Sequence, residues 1–115
     1  MDLPLTPLSM AILLSLAGQD QHGYGLMSDV AGQLGKRPGT GSLYAALDRL
    51  EAEGLIEESP DGPGPREDQR RRYYRITGEG RECARAEAAR LLRVLDAARE
   101  ASVIGSLTDL RRETR

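Results

Sequence analysis

The amino-acid sequence predicts a mainly α-helical fold with a small β-hairpin: a winged helix-turn-helix domain over residues 6–77, a C-terminal dimerisation helix over 78–104, and a short helix or frayed tail over 105–115. Three observations predict it. Apolar residues recur at helical spacing in three consecutive segments up to Gly54. The period then switches to that of strands at 55–59 and 71–77, and from Gly78 to about Ala101 the chain returns to helix. Three helices followed by a two-stranded hairpin is the element order of a winged helix-turn-helix, with "GKRPGTG" as the turn between the second and third helices.

In "TPLSMAILLSLAG", Thr6 can cap a helix, Pro7 suits its first position and Gly18 its end, while Leu8, Ala11, Ile12, Ser15 and Leu16 follow helical spacing. The segment "HGYGLMSDVAGQLG" supports a second helix with Tyr24, Met27, Val30 and Leu34 on one stripe, stopped by Gly35. Its internal glycines weaken it by ~1 kcal/mol each relative to alanine. The third helix lies in "GTGSLYAALDRLEAEGLI" and is the best formed. Leu43, Leu47 and Leu50 make an inward stripe, Asp48, Arg49, Glu51 and Glu53 keep the other side wet, Thr40 or Ser42 can cap its start, and Gly54 can close its end.

The strands "LIEES" and "RRYYRIT" are joined by "PDGPGPREDQ", whose three prolines and two glycines rule out helix. Alternation along the second strand puts Arg71, Tyr73 and Arg75 on one face and Arg72, Tyr74 and Ile76 on the other, the face that should pack inward. In the long helix "GEGRECARAEAARLLRVLDAAREA", heptad positions d at Ala84, Leu91 and Ala98 and a at Ala88, Leu95 and Ser102 give a seam widened by Leu92 and Val94. So wide a stripe exceeds what one small three-helix core can cover, which predicts a partner helix from a second copy.

Composition narrows the function classes. With 39% hydrophobic and 30% charged residues, the 115-residue chain reads as a soluble globular domain, and with no Phe or Trp and four Tyr its core has to be assembled from Leu, Ala, Ile and Val. The lone Cys83 excludes an intrachain disulfide and a Cys-rich zinc site, and the lone His22 leaves little for a nucleophile–base pair. His22 reads better as a helix-start cap, Cys83 as a small buried thiol. The glycines of "GKRPGTGS" lack the order of a phosphate loop. No enzyme, cofactor or metal is therefore expected. The longest apolar runs, such as "MAILLSLAG", fall short of the ~20 residues that span a bilayer, and residues 1–15 hold no Lys or Arg for a signal-peptide n-region. The expectation is a cytoplasmic protein without a membrane partner.

The net charge of −2 hides a segregation: residues 1–65 carry 3 basic and 9 acidic side chains, whereas residues 66–115 carry 13 basic and 9 acidic. The densest basic cluster is "REDQRRRYYR", with five Arg against two acids. Screening confines each charge to ~10 Å or less, so a local cluster can hold phosphate on an acidic molecule. A helix-turn-helix presents the N-terminal end of its third helix to the major groove, where small residues let backbone N–H groups approach phosphates and base edges. On that reading Lys36 and Arg37 sit in the turn, Thr40 and Ser42 point hydroxyls outward, Tyr44 reaches a phosphate, and Arg49 follows along the helix. Arg70, Arg71, Arg72 and Arg75 occupy the wing. Isolated charged strand residues are ordinarily just solvated; four Arg within six residues beside this element order favour phosphate contact, tempered by Glu67 and Asp68.

"HGYGLMSDV", "PGTGSLYAALDRLEAEGLI" and "RRYYRITGEGRE" occur in the order and spacing of PadR-like transcriptional regulators, and roughly residues 6–82 resemble that family. The resemblance implies a homodimeric winged-helix repressor, and the two-fold symmetry of such a dimer predicts binding to double-stranded DNA at an inverted-repeat operator. It also implies a dimer interface formed by the C-terminal helix, often with the first helix, and DNA affinity that a small-molecule effector alters. By position, Ser42, Leu43, Tyr44 and Leu47 match the recognition-helix motif, and Arg72, Tyr73, Tyr74 and Thr77 match the wing motif. Ala84, Ala88, Leu91, Leu92, Leu95 and Ala98 are the expected dimer contacts. Two rivals stand beside this reading: a winged-helix module that binds protein rather than DNA, suggested by the acidic first 65 residues, and a domain that sequesters a small apolar ligand between Leu91, Leu92 and Leu95 of two copies.

Overall fold

The computed structural model describes residues 5–60 and 72–114. Its elements run α1 (Pro7–Gly18), β1 (Gln21–His22), α2 (Gly23–Leu34), α3 (Thr40–Ala52), β2 (Ile56–Glu58), β3 (Tyr73–Ile76), α4 (Gly78–Glu100) and α5 (Leu107–Glu113). This is the expected order with one addition, the two-residue strand β1. The proline-rich connection after Pro60, with Arg70 and Arg71, lies outside the described residues. The chain forms two compact units, Met1–Arg85 and Ala86–Arg115. The division falls inside α4, where Ala84 belongs to the core of the first unit and half-buried Cys83 packs against it.

Helix α1 is the centre of that core. The Thr6 hydroxyl accepts the Ser9 N–H at 3.1 Å and Pro7 begins the helix, as the sequence suggests. Ser9 to Leu13 and then Ser15 and Leu16 are all buried, so the helix is covered on almost every side. Of its two buried serines, Ser15 is satisfied from α2: Gln33 Nε2 donates to Ser15 Oγ at 2.9 Å and to the Ala11 carbonyl at 3.1 Å. Leu26, Met27 and Val30 of α2, Leu43, Ala46, Leu47 and Leu50 of α3, Ile56 of β2 and Tyr74 of β3 close around it. Leucine, isoleucine, valine and alanine dominate as composition requires, with Met10, Met27 and Tyr74 added.

Tyr24 departs from expectation. It is 59% exposed, and the buried stripe of α2 runs instead through Leu26, Met27 and Val30. At 3.6 residues per turn Tyr24 lies roughly 100° from the middle of that stripe.

The sheet has the order β1-β3-β2, with both pairs antiparallel. Gln21 stands opposite Tyr74 and His22 opposite Tyr73, while Ile56, Glu57 and Glu58 face Ile76, Arg75 and Tyr74. The alternation read from the sequence holds: Tyr74 is fully buried and Ile76 packs against the core, with Tyr73 and Arg75 on the opposite face.

The end of α3 and the start of α4 are joined by backbone bonds. Gly54, with φ +78°, donates its N–H to the Glu51 carbonyl, and Leu55 donates to Leu50, each at 3.0 Å. That is a Schellman motif, with buried Leu55 closing it. The Leu55 carbonyl accepts the Thr77 N–H at 3.1 Å, and the Thr77 hydroxyl donates to the Gly54 carbonyl at 2.7 Å while accepting the Gly80 N–H at 3.0 Å. A Cβ at Gly80 would collide with the Leu55 carbonyl oxygen and meet Ile76 Cγ1 at 2.8 Å.

In the second unit α4 ends in the same motif, built on a serine: Ser102 has φ 62°, its N–H reaches the Arg99 carbonyl at 3.0 Å, and Val103 N–H reaches Ala98 at 2.9 Å. The C-terminal segment after Gly105 forms α5, capped by the Ser106 hydroxyl accepting the Asp109 N–H at 3.1 Å.

Gly80→Ala is expected to lower unfolding free energy by about 2 kcal/mol, the typical cost of forcing an extra carbon into packed backbone. Ser102→Gly should raise it by about 1 kcal/mol, because glycine adopts the left-handed conformation without the Cβ penalty. Urea denaturation followed by circular dichroism measures both, and equal midpoints for all three proteins would contradict the geometry.

Candidate nucleic-acid interface

The inner face of α3 is anchored by Leu43, Ala46, Leu47 and Leu50, each at most 1% exposed. Its outer face carries Thr40, Gly41, Ser42, Ala45, Asp48, Arg49 and Ala52, all exposed. Little side-chain bulk stands between the helix axis and solvent on this side, so another surface can approach the backbone closely. The cap is a correction. Neither Thr40 nor Ser42 caps the helix: the capping residue is Gly39, with no side-chain hydrogen bond, because the helix already begins at Thr40. The first intrahelical bond runs from Leu43 N–H to the Gly39 carbonyl at 3.0 Å. The N–H groups of Thr40, Gly41 and Ser42 ahead of it therefore have no acceptor within the helix, and they add to the positive end of its dipole. Lys36 and Arg37 lie exposed in the preceding turn, and Arg49 lies exposed further along.

Tyr44 is placed differently from the expected outward phosphate contact. It is half-buried against the core, and its hydroxyl end packs on Gly23, where any Cβ would run into it. Gly23 is thus small because the third helix leans on the first turn of the second. The neighbouring residues of "HGYG" have equally local reasons. His22 caps α2, its Nδ1 accepting the Gly25 N–H at 3.1 Å, as its position at a helix start suggests. Its ring meets the Tyr73 ring edge-on at 5.3 Å and the Tyr24 ring at 6.1 Å. A Cβ at Gly25 would press on the Gln21 side-chain oxygen at 2.8 Å. Buried Gln21 spans inward, donating to the Ser15 carbonyl at 3.3 Å and to Asp29 Oδ2 at 2.8 Å. Ser59, fully buried, donates to Asp20 Oδ2 at 2.9 Å and takes the Tyr73 carbonyl on its N–H at 2.7 Å. The wing is therefore stitched to the helix-turn-helix through β1.

Of the four wing arginines named from the sequence, the described residues include Arg72 and Arg75, and both face glutamates on β2. Arg75 Nε donates to Glu57 Oε2 at 2.7 Å, and Arg72 Nε lies 4.0 Å from Glu58 Oε1. The second contact is too long for a hydrogen bond, and Arg72 Nε is buried without a hydrogen-bond partner among the described residues. Sequence reasoning passed over Glu57 and Glu58. The signal was available in the register, since pairing Ile56 with Ile76 puts Glu57 opposite Arg75.

Within the second unit Leu91, Leu92 and Val94 are exposed at 40%, 56% and 50%, Ala88 is exposed, and Leu95 and Ala98 are half-buried. Glu87 grips Arg90 with two hydrogen bonds of 3.0 and 2.7 Å, which raise the Arg90 pKa above its ordinary value. Ala84, named with the seam, is a correction: it is 7% exposed and belongs to the core of its own chain, one turn too early for the exposed face.

Residues 12–86 match the model of the family described as Transcriptional regulator PadR-like family. A curated relative, an uncharacterized 37.1 kDa protein in transposon TN4556 of Streptomyces fradiae, is 37% identical over 86 residues, which are 74% of this chain and 23% of the relative. The chain thus spans about a quarter of the length of that relative. Among solved structures, a transcriptional regulator from Clostridium thermocellum is 25% identical with a TM-score of 0.67, covering 81% of this chain and 87% of its own. A PadR family transcription regulator from Clostridium difficile shares the fold at a TM-score of 0.68 and 21% identity, over 83% of this chain and 97% of the other. No helix among the described residues is long and apolar enough to cross a membrane.

His22→Ala is expected to destabilise the first unit by about 1 kcal/mol, the usual cost of losing a helix cap, with Asn at the same position restoring most of it. Thermal melts of the two variants beside the parent decide this; an alanine variant as stable as the parent would show that the imidazole bond carries no weight.

Proposed function

The chain belongs to the PadR-like family of transcriptional regulators, and from that premise we propose that it is a homodimeric, sequence-specific DNA-binding repressor acting in the cytoplasm. Its hold on an inverted-repeat operator would be released by a small-molecule effector. The observation that carries this reading is the exposed front of α3: a helix without a side-chain cap, fronted by Thr40, Gly41 and Ser42, with Lys36 and Arg37 in the turn before it. In this proposal that front enters the major groove, Thr40 and Ser42 meet base edges, and Lys36, Arg37 and Arg49 meet phosphates together with the wing residues Arg70, Arg71, Arg72 and Arg75. Tyr44 acts as the strut that seats α3 on α2.

Dimerisation falls in this proposal to the exposed Ala88, Leu91 and Leu92 of α4, with half-buried Leu95 and Ala98 beside them. A monomer that leaves two neighbouring leucines in water gains from covering them with a second copy, since ~25 cal/mol is recovered per Å² of apolar surface buried. Two-fold symmetry then sets half-sites ~34 Å apart, one turn of DNA. The effector would act where two copies meet, by favouring a pairing that misaligns the α3 fronts.

A second reading, a winged-helix module that docks on protein, is favoured by the glutamates beside Arg72 and Arg75. The two readings separate on bound fragments selected from random DNA. The repressor reading predicts enrichment of a palindromic consensus and a dimer in analytical ultracentrifugation; the protein-docking reading predicts no enriched sequence and no gel shift at low salt. Replacing Arg71 and Arg72 together by Ala should weaken binding to every sequence and flatten the salt slope by ~2. Unchanged binding to random DNA would remove the wing from the interface.

A further inference from the structure

We propose that Glu57 on β2 is a built-in competitor for DNA phosphate: it occupies Arg75, so that the wing binds DNA more weakly, and with less salt dependence, than its arginines would allow. Glu58 does the same to Arg72 in weaker form. The inference rests on the DNA-binding reading of this surface and concerns how that surface is tuned.

Three observations carry it. Glu57 and Arg75 stand directly opposite each other in the antiparallel register, so the sheet brings the two side chains together. The contact is a charge-assisted hydrogen bond of 2.7 Å between Nε and Oε2, with half of the glutamate and about two fifths of the arginine side chain open to solvent (50% and 39%). A carboxylate oxygen at that distance takes a position a phosphate oxygen would take on the same guanidinium. Finally, the described part of the wing cancels itself, since Arg72 and Arg75 are matched by Glu57 and Glu58 on the neighbouring strand. A phosphate arriving at Arg75 finds its Nε already engaged and meets the repulsion of a carboxylate that stays beside it. The Glu58 contact is longer, at 4.0 Å, and forms no hydrogen bond, so its effect is smaller.

The opposite role is physically distinct. Glu57 could orient Arg75 towards DNA, in which case its removal would weaken binding. The two effects have opposite signs and one measurement separates them. Exposed ion pairs hold their partners with energies equivalent to roughly a threefold change in an equilibrium constant, and each phosphate contact regained adds about one to the salt slope. Positioning alone would leave that slope unchanged or flatten it.

The test is fluorescence anisotropy of the full chain on a labelled random-sequence duplex across a salt series, for the parent, Glu57→Gln, Arg75→Ala and the double variant. Glu57→Gln is expected to bind about threefold more tightly than the parent, with a salt slope steeper by ~1, and to show no gain over Arg75→Ala when combined with it. A gain that persists without Arg75 would mean that Glu57 acts by general repulsion, and a weakened Glu57→Gln would mean that it positions the arginine; either overturns the inference. Glu53→Gln, on the exposed end of α3, controls for net charge, and an equal effect there also overturns it. Absence of binding by every variant, the parent included, would instead overturn the DNA-binding reading and this inference with it.

Discussion

The first unit depends on one knot of backbone bonds at Gly54, Leu55, Thr77 and Gly80. Where α3 stops and β2 begins, the chain must reverse without leaving buried carbonyls unpaired. Gly54 permits the reversal by its left-handed conformation, and Thr77, some twenty residues later, closes it from the other side by pairing the Gly54 and Leu55 carbonyls. The same hydroxyl accepts the third N–H of α4, so one threonine finishes one helix and starts another. Glycine at position 80 lets the Leu55 carbonyl sit where a side chain would otherwise be. Both ends of the hairpin are therefore pinned at its root.

From that root the wing is held along both edges of β3. On one side β2 brings Ile56 into the core; on the other, β1 runs directly into the His22 cap of α2. Wing and helix-turn-helix share a continuous hydrogen-bonded frame through Tyr73, Tyr74, Gln21 and Ser59. The candidate interface thus combines a firmly seated base with helix N–H groups that have no intrahelical acceptor, and with wing arginines balanced by an acidic strand.

Much of this was legible in the sequence because it depends on local rules. Thr6, Pro7, Gly35 and Gly54 mark helix ends by their own chemistry, and the alternation of "YYRI" correctly buries Tyr74. Within the family motifs, Gly23, Gly25, Tyr74, Ile76 and Thr77 have local packing or hydrogen-bonding reasons. What escaped was long-range. A strand of two residues, Gln21–His22, cannot display a period, and exists only because β3 offers it an edge. Tyr24 has the spacing of a core residue but lies off the stripe that Leu26 and Val30 define. Ala84 fits the heptad of the long helix, yet the core of the first unit reaches it first. Glu57 opposite Arg75 was passed over for the same reason: which residues face each other across a hairpin is a property of register, which has to be read from two strands together.

The exposed side of α3 has a consequence for how such a protein diverges. Leu43, Ala46, Leu47 and Leu50 secure the helix, while Thr40, Gly41, Ser42, Ala45 and Asp48 contribute nothing to the packed interior. Exposed helical positions of this kind usually tolerate exchange within about 0.5 kcal/mol, so the letters on that side can be rewritten while the scaffold stays intact. On the DNA-binding reading proposed above, folding and recognition fall on opposite halves of one cylinder. Duplicated copies of this chain could therefore drift towards new targets in single steps, without passing through intermediates that fail to fold.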